Sequence, residues 1–546
     1  MNVCMEKANE SLSNKIKYDF PFVSSSERQK YWLLFCDWYY EILPKSLLLD
    51  STERNRRIVF NSLLLSKGLL LATDISINTL YSETDSDEKQ KYIELKQLKS
   101  LYDKALFEPS INNYNVDSIL FSINYLERDL AQSSIILGDA EKQYEIDYKD
   151  IQQSLNKDEI AIEFFSLPTD SCDVYYAFCI KNTYDSPRLM RICGYNDLMQ
   201  LTKQNTLFLK EISQLIWQPL MEELEDINTV YFSPTGVLTT IPIEYAVLND
   251  TEMSMFDVYN IHRLSSLREL TNKRTSQIQS IVLYGGLNYY SNSDVIQVDE
   301  SEINKTIYAE RAFVEDERGG VGELAGSRRE VNAITQMLPP SISCHLYSNQ
   351  NGTETSFKAL SGDSISIIHI STHGYYWNES MAGRKRPKHF QSWNTNMLTD
   401  EDLALTRSGL YFAGVNEYFL GEELPSYLDD GVLTAQEISK LDLRGTDLVV
   451  LSACQTGLGD LKGDGVFGLQ RGFKKAGVNS ILMSLWKIDD TATELLMVEF
   501  YRNYLSGKDK TQSLRNAQKY VREYTDMEGN RIYEHPYYWA GFIMLD

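Results

Sequence analysis

Apolar positions along this chain change their spacing twice. Over residues 1–155 they recur at intervals of three and four, with Trp32, Leu33, Phe35, Trp38, Tyr39 and Ile42 in one stretch and Ile119, Ile123, Leu126 and Leu130 in another. That interval places them along one side of a helix. The charge-laced stretch 116–155 predicts a long helical segment packed as plain core, and no helical-repeat period emerges from the region. From Glu159 the apolar runs become short, β-branched and aromatic, at 160–165, 174–180 and 230–233, the last meeting a Pro234-Thr235-Gly236 turn. From Ile281 brief buried runs, at 281–286, 365–370, 409–412, 448–451, 480–485 and 541–545, alternate with helical patterns such as 328–337 and 493–505. Alternation of this kind predicts an α/β fold with a mainly parallel sheet covered on both faces. The changes of texture divide the chain into a helical region (1–155), a strand-rich region (156–276) and an α/β region (277–546).

Composition narrows the class. The chain has 546 residues, 43% hydrophobic and 12% aromatic, which describes a globular protein with ample core. Its formal net charge of −24 argues against non-specific binding to nucleic acid or anionic membrane. The most apolar stretch, 63–72, is broken by Ser66, Lys67 and Gly68, short of the ~18 apolar residues a membrane span needs. Asp19 and Glu27 interrupt any signal-like pattern near the start, so a cytoplasmic location is expected. Seven scattered cysteines without CxxC spacing predict neither a disulfide framework nor a zinc site. His262, His345, His389 and His535 lack metal spacing, and there is no HExxH, phosphate loop or GxSxG elbow. Gly285-Gly286 lacks the third glycine of a dinucleotide fingerprint. No metal, nucleotide or other cofactor is therefore expected. Two stretches, 291–326 and 377–400, read as loops. The second carries Arg384-Lys385-Arg386-Pro387-Lys388, either a solvated surface or a processed or regulatory loop.

The candidate chemistry lies at two strand ends. The run 448–451 leads into Ser452-Ala453-Cys454-Gln455-Thr456-Gly457, and the run 365–370 into Ser371-Thr372-His373-Gly374. Open α/β sheets assemble their active sites at the carboxyl edge. A thiol with an ordinary pKa near ~8.5 is mostly protonated at neutral pH, and a neighbouring imidazole turns it into a nucleophile. The backbone N–H groups of Gly374 and Cys454 are candidates for an oxyanion hole. His369 faces the same side of its strand as Ser371 and is expected to pack or support rather than react.

These residues sit in a series of motifs: His369-Ile-Ser-Thr-His373-Gly374, Ser408-Gly-Leu-Tyr-Phe-Ala-Gly414, Asp430-Gly-Val-Leu-Thr-Ala-Gln-Glu-Ile438, the segment Asp447 to Gly459 around Cys454, Ser484-Leu-Trp-Lys-Ile-Asp-Asp490, and His535-Pro-Tyr-Tyr-Trp-Ala-Gly-Phe542. Leu324-Ala-Gly-Ser-Arg-Arg-Glu330 and Tyr231-Phe-Ser-Pro-Thr-Gly236 precede them. In these the chain resembles the CHAT domain, a branch of the caspase-like cysteine peptidases related to separase. The resemblance implies a three-layer α/β/α sandwich, with His373 as base and Cys454 as nucleophile. By analogy with separase it implies an inactive caspase-like half within 156–276. CHAT domains usually follow tetratricopeptide arrays that sense a partner, and here the helical region is too short for a full array, so 1–155 is read as a degenerate repeat or sensor remnant, as part of a longer array-bearing protein, or as a region whose sensor another subunit supplies. Relatives cleave partner proteins in bacterial defence or regulated cell death. The expected activity is thus a cysteine endopeptidase acting on a protein substrate under the control of an activating partner. The alternative is a non-catalytic caspase-like scaffold. For specificity, Asp489 is the candidate for an acidic pocket accepting Arg or Lys, with Asp464 a lesser one. Asp490 is read first as the cap of the following helix and second as part of the pocket.

Overall fold

Residues 2–75, 87–107, 115–132, 145–169, 172–202, 209–248, 253–271, 277–290, 320–377, 399–420, 429–453, 456–462 and 465–546 are described by the computed structural model. The strands, in chain order, are β1 (Glu159–Leu167), β2 (Val174–Ile180), β3 (Arg188–Gly194), β4 (Thr229–Ser233), β5 (Asn260–Arg263), β6 (Ser280–Leu287), β7 (Ser343–Asn349), β8 (Ile367–Ile370), β9 (Gly374–Tyr376), β10 (Ser408–Tyr411), β11 (Val432–Thr434), β12 (Leu448–Leu451), β13 (Gly459–Lys462), β14 (Gly465–Gly468), β15 (Ser480–Ser484) and β16 (Phe542–Leu545). Eleven of them form one sheet in the order β3-β2-β1-β4-β5-β16-β15-β12-β8-β6-β7. The fold is mixed α/β, with this large, parallel-rich sheet at its centre and a helical region before it.

The strands of 156–276 and those of 277–546 belong to that same sheet, joined where β16 runs parallel to β5 with Leu545 opposite Arg263. Pairs from β7 through β6, β8 and β12 to β15 are parallel, as are β5-β4-β1. Because β16 is antiparallel to β15, the parallel strands of the two halves point in opposite directions. Their carboxyl ends therefore open on opposite edges of the sheet. β8, β12, β15 and β16 are buried along their whole length, which requires cover on both faces. Helix Ala325–Met337 lies against β6. Gly286, at φ +61°, and Gly285 allow that approach, since a Cβ on Gly285 would strike Val331 and Ser327.

The run 409–412 departs from the expectation. As β10 it lies outside the central sheet, in a separate three-stranded antiparallel sheet ordered β11-β10-β9. A short apolar run announces burial, not the sheet it joins. The helical region matches its pattern in part. Ile119, Ile123, Leu126 and Leu130 are buried, and their helix Val116–Gln132 packs on helix Asp87–Phe107. Trp32 and Tyr39 are buried as well, but Leu33 and Ile42 are exposed. The reason is local: helix Ser25–Leu33 stops there and the chain turns before a π-helical stretch, Trp38–Ile42, so one helical phase does not run through. No single helix among the described residues is long and apolar enough to cross a membrane. The bent pair Glu53–Ser66 and Leu69–Ile75 is the most apolar, and its leucines at 63, 64, 65, 69 and 70 are buried in the protein.

Candidate active site

β8 and β12 are adjacent and parallel, with Ile370 directly opposite Leu451. Three residues after each come His373 and Cys454. The two loops thus leave one edge of the sheet at the same level, next to the β6–β8 junction where the strand order reverses. Cys454, with Gln455, lies outside the described residues, as do Asp464 and the basic cluster 384–388. The residues on either side of Cys454 are tied in place. The Ser452 N–H donates to the Ile370 carbonyl at 2.9 Å. The Ser484 hydroxyl of β15 donates to the Ala453 carbonyl at 2.6 Å, and its N–H to Thr456 Oγ1 at 3.0 Å. The Gly457 N–H returns a bond of 2.8 Å to the Ser484 carbonyl. Ser484 and Thr456 were not singled out by sequence, since a serine inside an apolar strand carries no chemical signature.

His373 is almost fully buried, with 7% of its surface exposed. Its Nε2 lies 2.8 Å from the Gly322 carbonyl. A carbonyl oxygen only accepts, so Nε2 carries the hydrogen and Nδ1 of the neutral ring holds the lone pair that can take a proton. The Tyr289 ring packs 5.2 Å from the imidazole, and the Tyr289 and Thr372 hydroxyls are 2.8 Å apart. Asn416, wholly buried, clasps the Gly322 loop: its Oδ1 accepts from the Val321 N–H at 2.7 Å and its amide donates to the Val321 carbonyl at 3.0 Å. A backbone carbonyl as the third member of the arrangement has no side chain by which a sequence could reveal it.

Gly374 opens β9. The Tyr411 N–H donates to the His373 carbonyl at 3.0 Å, which makes 373 and 411 a hydrogen-bonded pair of the antiparallel ladder. The next position alternates, so the Gly374 N–H points away from β10. His369 is fully buried, with Nε2 2.9 Å from Glu330 Oε1 and Nδ1 3.2 Å from the Tyr501 hydroxyl, in the supporting place its strand position predicts.

The two aspartates after β15 exchange the expected capping role. Asp489, not Asp490, is the N-cap of helix Asp490–Leu505, accepting from the Ala492 N–H at 2.9 Å. Asp490 instead accepts from the Gly326 N–H at 2.9 Å, at the start of helix Ala325–Met337. A helix start has one cap, and the sequence offered two adjacent candidates. Among the described residues, no group of three or more His, Cys, Asp or Glu side chains is arranged to hold a metal ion. A cavity of about 530 Å³ lies well away from His373, at the opposite edge of the sheet, lined by residues such as Leu71, Tyr231, His262, Leu270, Val478 and Asp546.

The chain is 35% identical over 115 residues to Tetratricopeptide repeat protein 28 of Mus musculus and 32% identical over 118 residues to that of Homo sapiens. These matches cover 21% and 22% of the chain but only 4% of each relative's length. Among solved structures, it is similar to the separase–securin complex of Saccharomyces cerevisiae, at 10% identity and TM-score 0.39, covering 99% of this chain and 44% of that one. It is also similar to the RgpB pro- and mature domains of Porphyromonas gingivalis, at 11% identity and TM-score 0.33, covering 61% and 68%. The CHAT domain model matches residues 206–545, more than half of the chain, and the chain belongs to the CHAT domain family.

Proposed function

We propose that this protein is a cysteine endopeptidase that hydrolyses peptide bonds of a partner protein through Cys454 and His373. The observation that carries the reading is the in-register exit of both loops from β8 and β12, with the His373 ring oriented by the Gly322 carbonyl. In the proposed reaction His373 Nδ1 takes the Cys454 proton and the thiolate attacks the peptide carbonyl carbon. The Gly374 and Cys454 N–H groups receive the negative oxygen of the tetrahedral intermediate. The imidazolium then protonates the leaving amine as the C–N bond breaks and a thioester remains. Water, deprotonated by the same imidazole, cleaves the thioester and restores the thiol. For specificity we propose cleavage after Arg or Lys, resting on the acidic Asp489-Asp490 pair that follows β15, with Asp464 as a further contributor. Control by an activating partner is part of the same proposal.

The test is a peptide-mixture cleavage profile run with wild type, Cys454→Ala and His373→Ala side by side. The expected result is cleavage after Arg or Lys, reduced at least ~10³-fold in either variant. Undiminished activity in either variant removes the dyad, and cleavage after Asp removes the acidic pocket. No cleavage together with a Cys454 inert to alkylating agents favours a non-catalytic scaffold.

A further inference from the structure

Glu330 has no exposed surface, yet it is a charged residue at the centre of helix Ala325–Met337. One of its carboxylate oxygens, Oε2, accepts from the Ser371 hydroxyl at 3.1 Å and from the Ser452 hydroxyl at 3.1 Å. Ser371 stands two residues before His373 and Ser452 two residues before Cys454. Both serines are fully buried, and they sit just beyond the paired ends of β8 and β12. The other oxygen, Oε1, lies 2.9 Å from His369 Nε2, whose ring is held in turn by the Tyr501 hydroxyl at 3.2 Å. The loop before His373 has a second tie to the same helix, since the Ser327 hydroxyl donates to the Ser371 carbonyl at 2.6 Å.

We propose that Glu330 is a positioning residue for the Cys454–His373 pair, setting the separation of the two loops that carry them. The inference rests on the cysteine-peptidase reading above. Stability alone is a poor account of this residue. Burying a carboxylate is costly, and an apolar side chain of similar volume commonly serves a core as well or better. An apolar residue would, however, leave the two serines without a common acceptor. A single oxygen shared by both hydroxyls turns two adjacent loops into one unit. Nucleophile and base must be held within a fraction of an ångström, and a displacement of about 1 Å can cost ~10²-fold in rate.

The experiment compares wild type, Glu330→Met, Ser371→Ala/Ser452→Ala and the triple variant in the full chain. Two readouts are taken: kcat and KM on the best peptide of the cleavage profile, and the alkylation rate of Cys454 by iodoacetamide, followed by mass spectrometry of its peptide. The second readout needs no known substrate and separates Cys454 from the other six cysteines. Glu330→Met, which removes the shared acceptor that an amide oxygen would retain, is expected to lower kcat and Cys454 alkylation by ~10-fold or more, with KM within ~2-fold, because the reacting pair and not substrate contact is disturbed. The double serine variant should reproduce that loss, and the triple variant should lose little more, since the three groups act as one unit. Wild-type kcat and alkylation in folded variants overturn the proposal, as do losses that simply add. A lowered melting temperature with unchanged alkylation also overturns it, leaving Glu330 a structural residue. If Glu330→Met does not fold, the serine variants decide the matter by the same criteria. A fully active Cys454→Ala defeats the peptidase reading itself, whereas an inactive Cys454→Ala beside a normal Glu330→Met defeats only the positioning role.

Discussion

Asp430 shows how far one side chain's surroundings can move its chemistry. Its Oδ1 accepts from the Val432 N–H at 2.8 Å, fixing the turn into β11. Burial first, and then the negative charge of Glu437, push its carboxyl up to about 7. Lys358, which bridges Glu354, Asp429 and Glu437 at 2.7, 3.2 and 2.9 Å, compensates only in part. A carboxyl raised in the folded state keeps a proton that the unfolded chain has lost. Its cost to stability therefore grows as pH rises from the ordinary value of 3.8 to about 7 and is constant above. Asp430→Asn keeps the acceptor for Val432 and removes the charge. It is expected to melt ~1–2 °C above wild type at pH 8, with the difference vanishing near pH 4. Thermal melts across that range check this, and a gain that persists at pH 4 would contradict it. At this scale the sequence was informative where a residue type carries its own chemistry. His373 and Cys454 stood out because imidazole and thiol at two strand ends have few other uses. Gly322, Asn416, Ser484 and Glu330 did not, because a carbonyl, an amide, a hydroxyl and a core carboxylate take their meaning from partners remote in the chain.

At the scale of elements, the hairpin β13–β14 leans on the strand that follows His373. Asp460 of β13 accepts from the Tyr376 hydroxyl of β9 at 3.2 Å and pairs with Arg407, just before β10. Two short elements, neither in the central sheet, are thus latched together, one of them directly following His373. Asp460→Ala removes the latch and leaves the central sheet untouched. It is expected to lower kcat/KM by ~10-fold while shifting the melting temperature by no more than ~2 °C, read from steady-state kinetics and a thermal melt. Wild-type kcat/KM in this variant would mean that the hairpin has no bearing on the site. In the central sheet β1, β2, β4, β6, β8, β12, β15 and β16 were legible as apolar runs, whereas β3, β5 and β7, which are half or largely uncovered, were not. Outside it β9, β11, β13 and β14 were not read either, being three or four residues long and, except for β11, partly glycine. So short a segment offers no period from which a strand can be told from a turn. The run at β10 was seen but assigned to the wrong sheet, since burial is written in the sequence and pairing is not.

Across the whole molecule, the helical region is bound to the α/β body by buried charges rather than by apolar contact alone. Asp74 meets Arg28 at 2.8 Å within the helical region and Lys475 at 2.9 Å across the boundary. Lys475 continues to Glu401 at 3.4 Å, which Arg471 holds at 2.8 Å. Lys475 and Arg471 lie on helix Leu469–Lys475, directly after the β13–β14 hairpin, and Glu401 lies on helix Asp400–Leu405, just before β10. The network therefore ends on the two elements that flank the latch at Asp460. No sequence pattern could announce it, because its members are separated by some 400 positions and each alone reads as a solvated charge. Its electrostatics give a signed test. Burial would raise the Asp74 carboxyl, but the Lys475 ammonium and Arg28 guanidinium outweigh it and hold the group well below the usual carboxylate range. A carboxyl depressed in the folded state contributes stability that is complete above its unfolded value of 3.8 and is lost as pH falls through the folded value. Asp74→Asn keeps the shape and leaves Lys475 and Arg28 short of one counter-charge, a loss expected to cost about 3 kcal/mol at neutral pH. Denaturant unfolding of wild type and Asp74→Asn at pH 7, 5 and 3 should show the same gap at the first two values and a smaller one at the third. A gap already narrowing between pH 7 and 5 would show that Asp74 is not held by these cations.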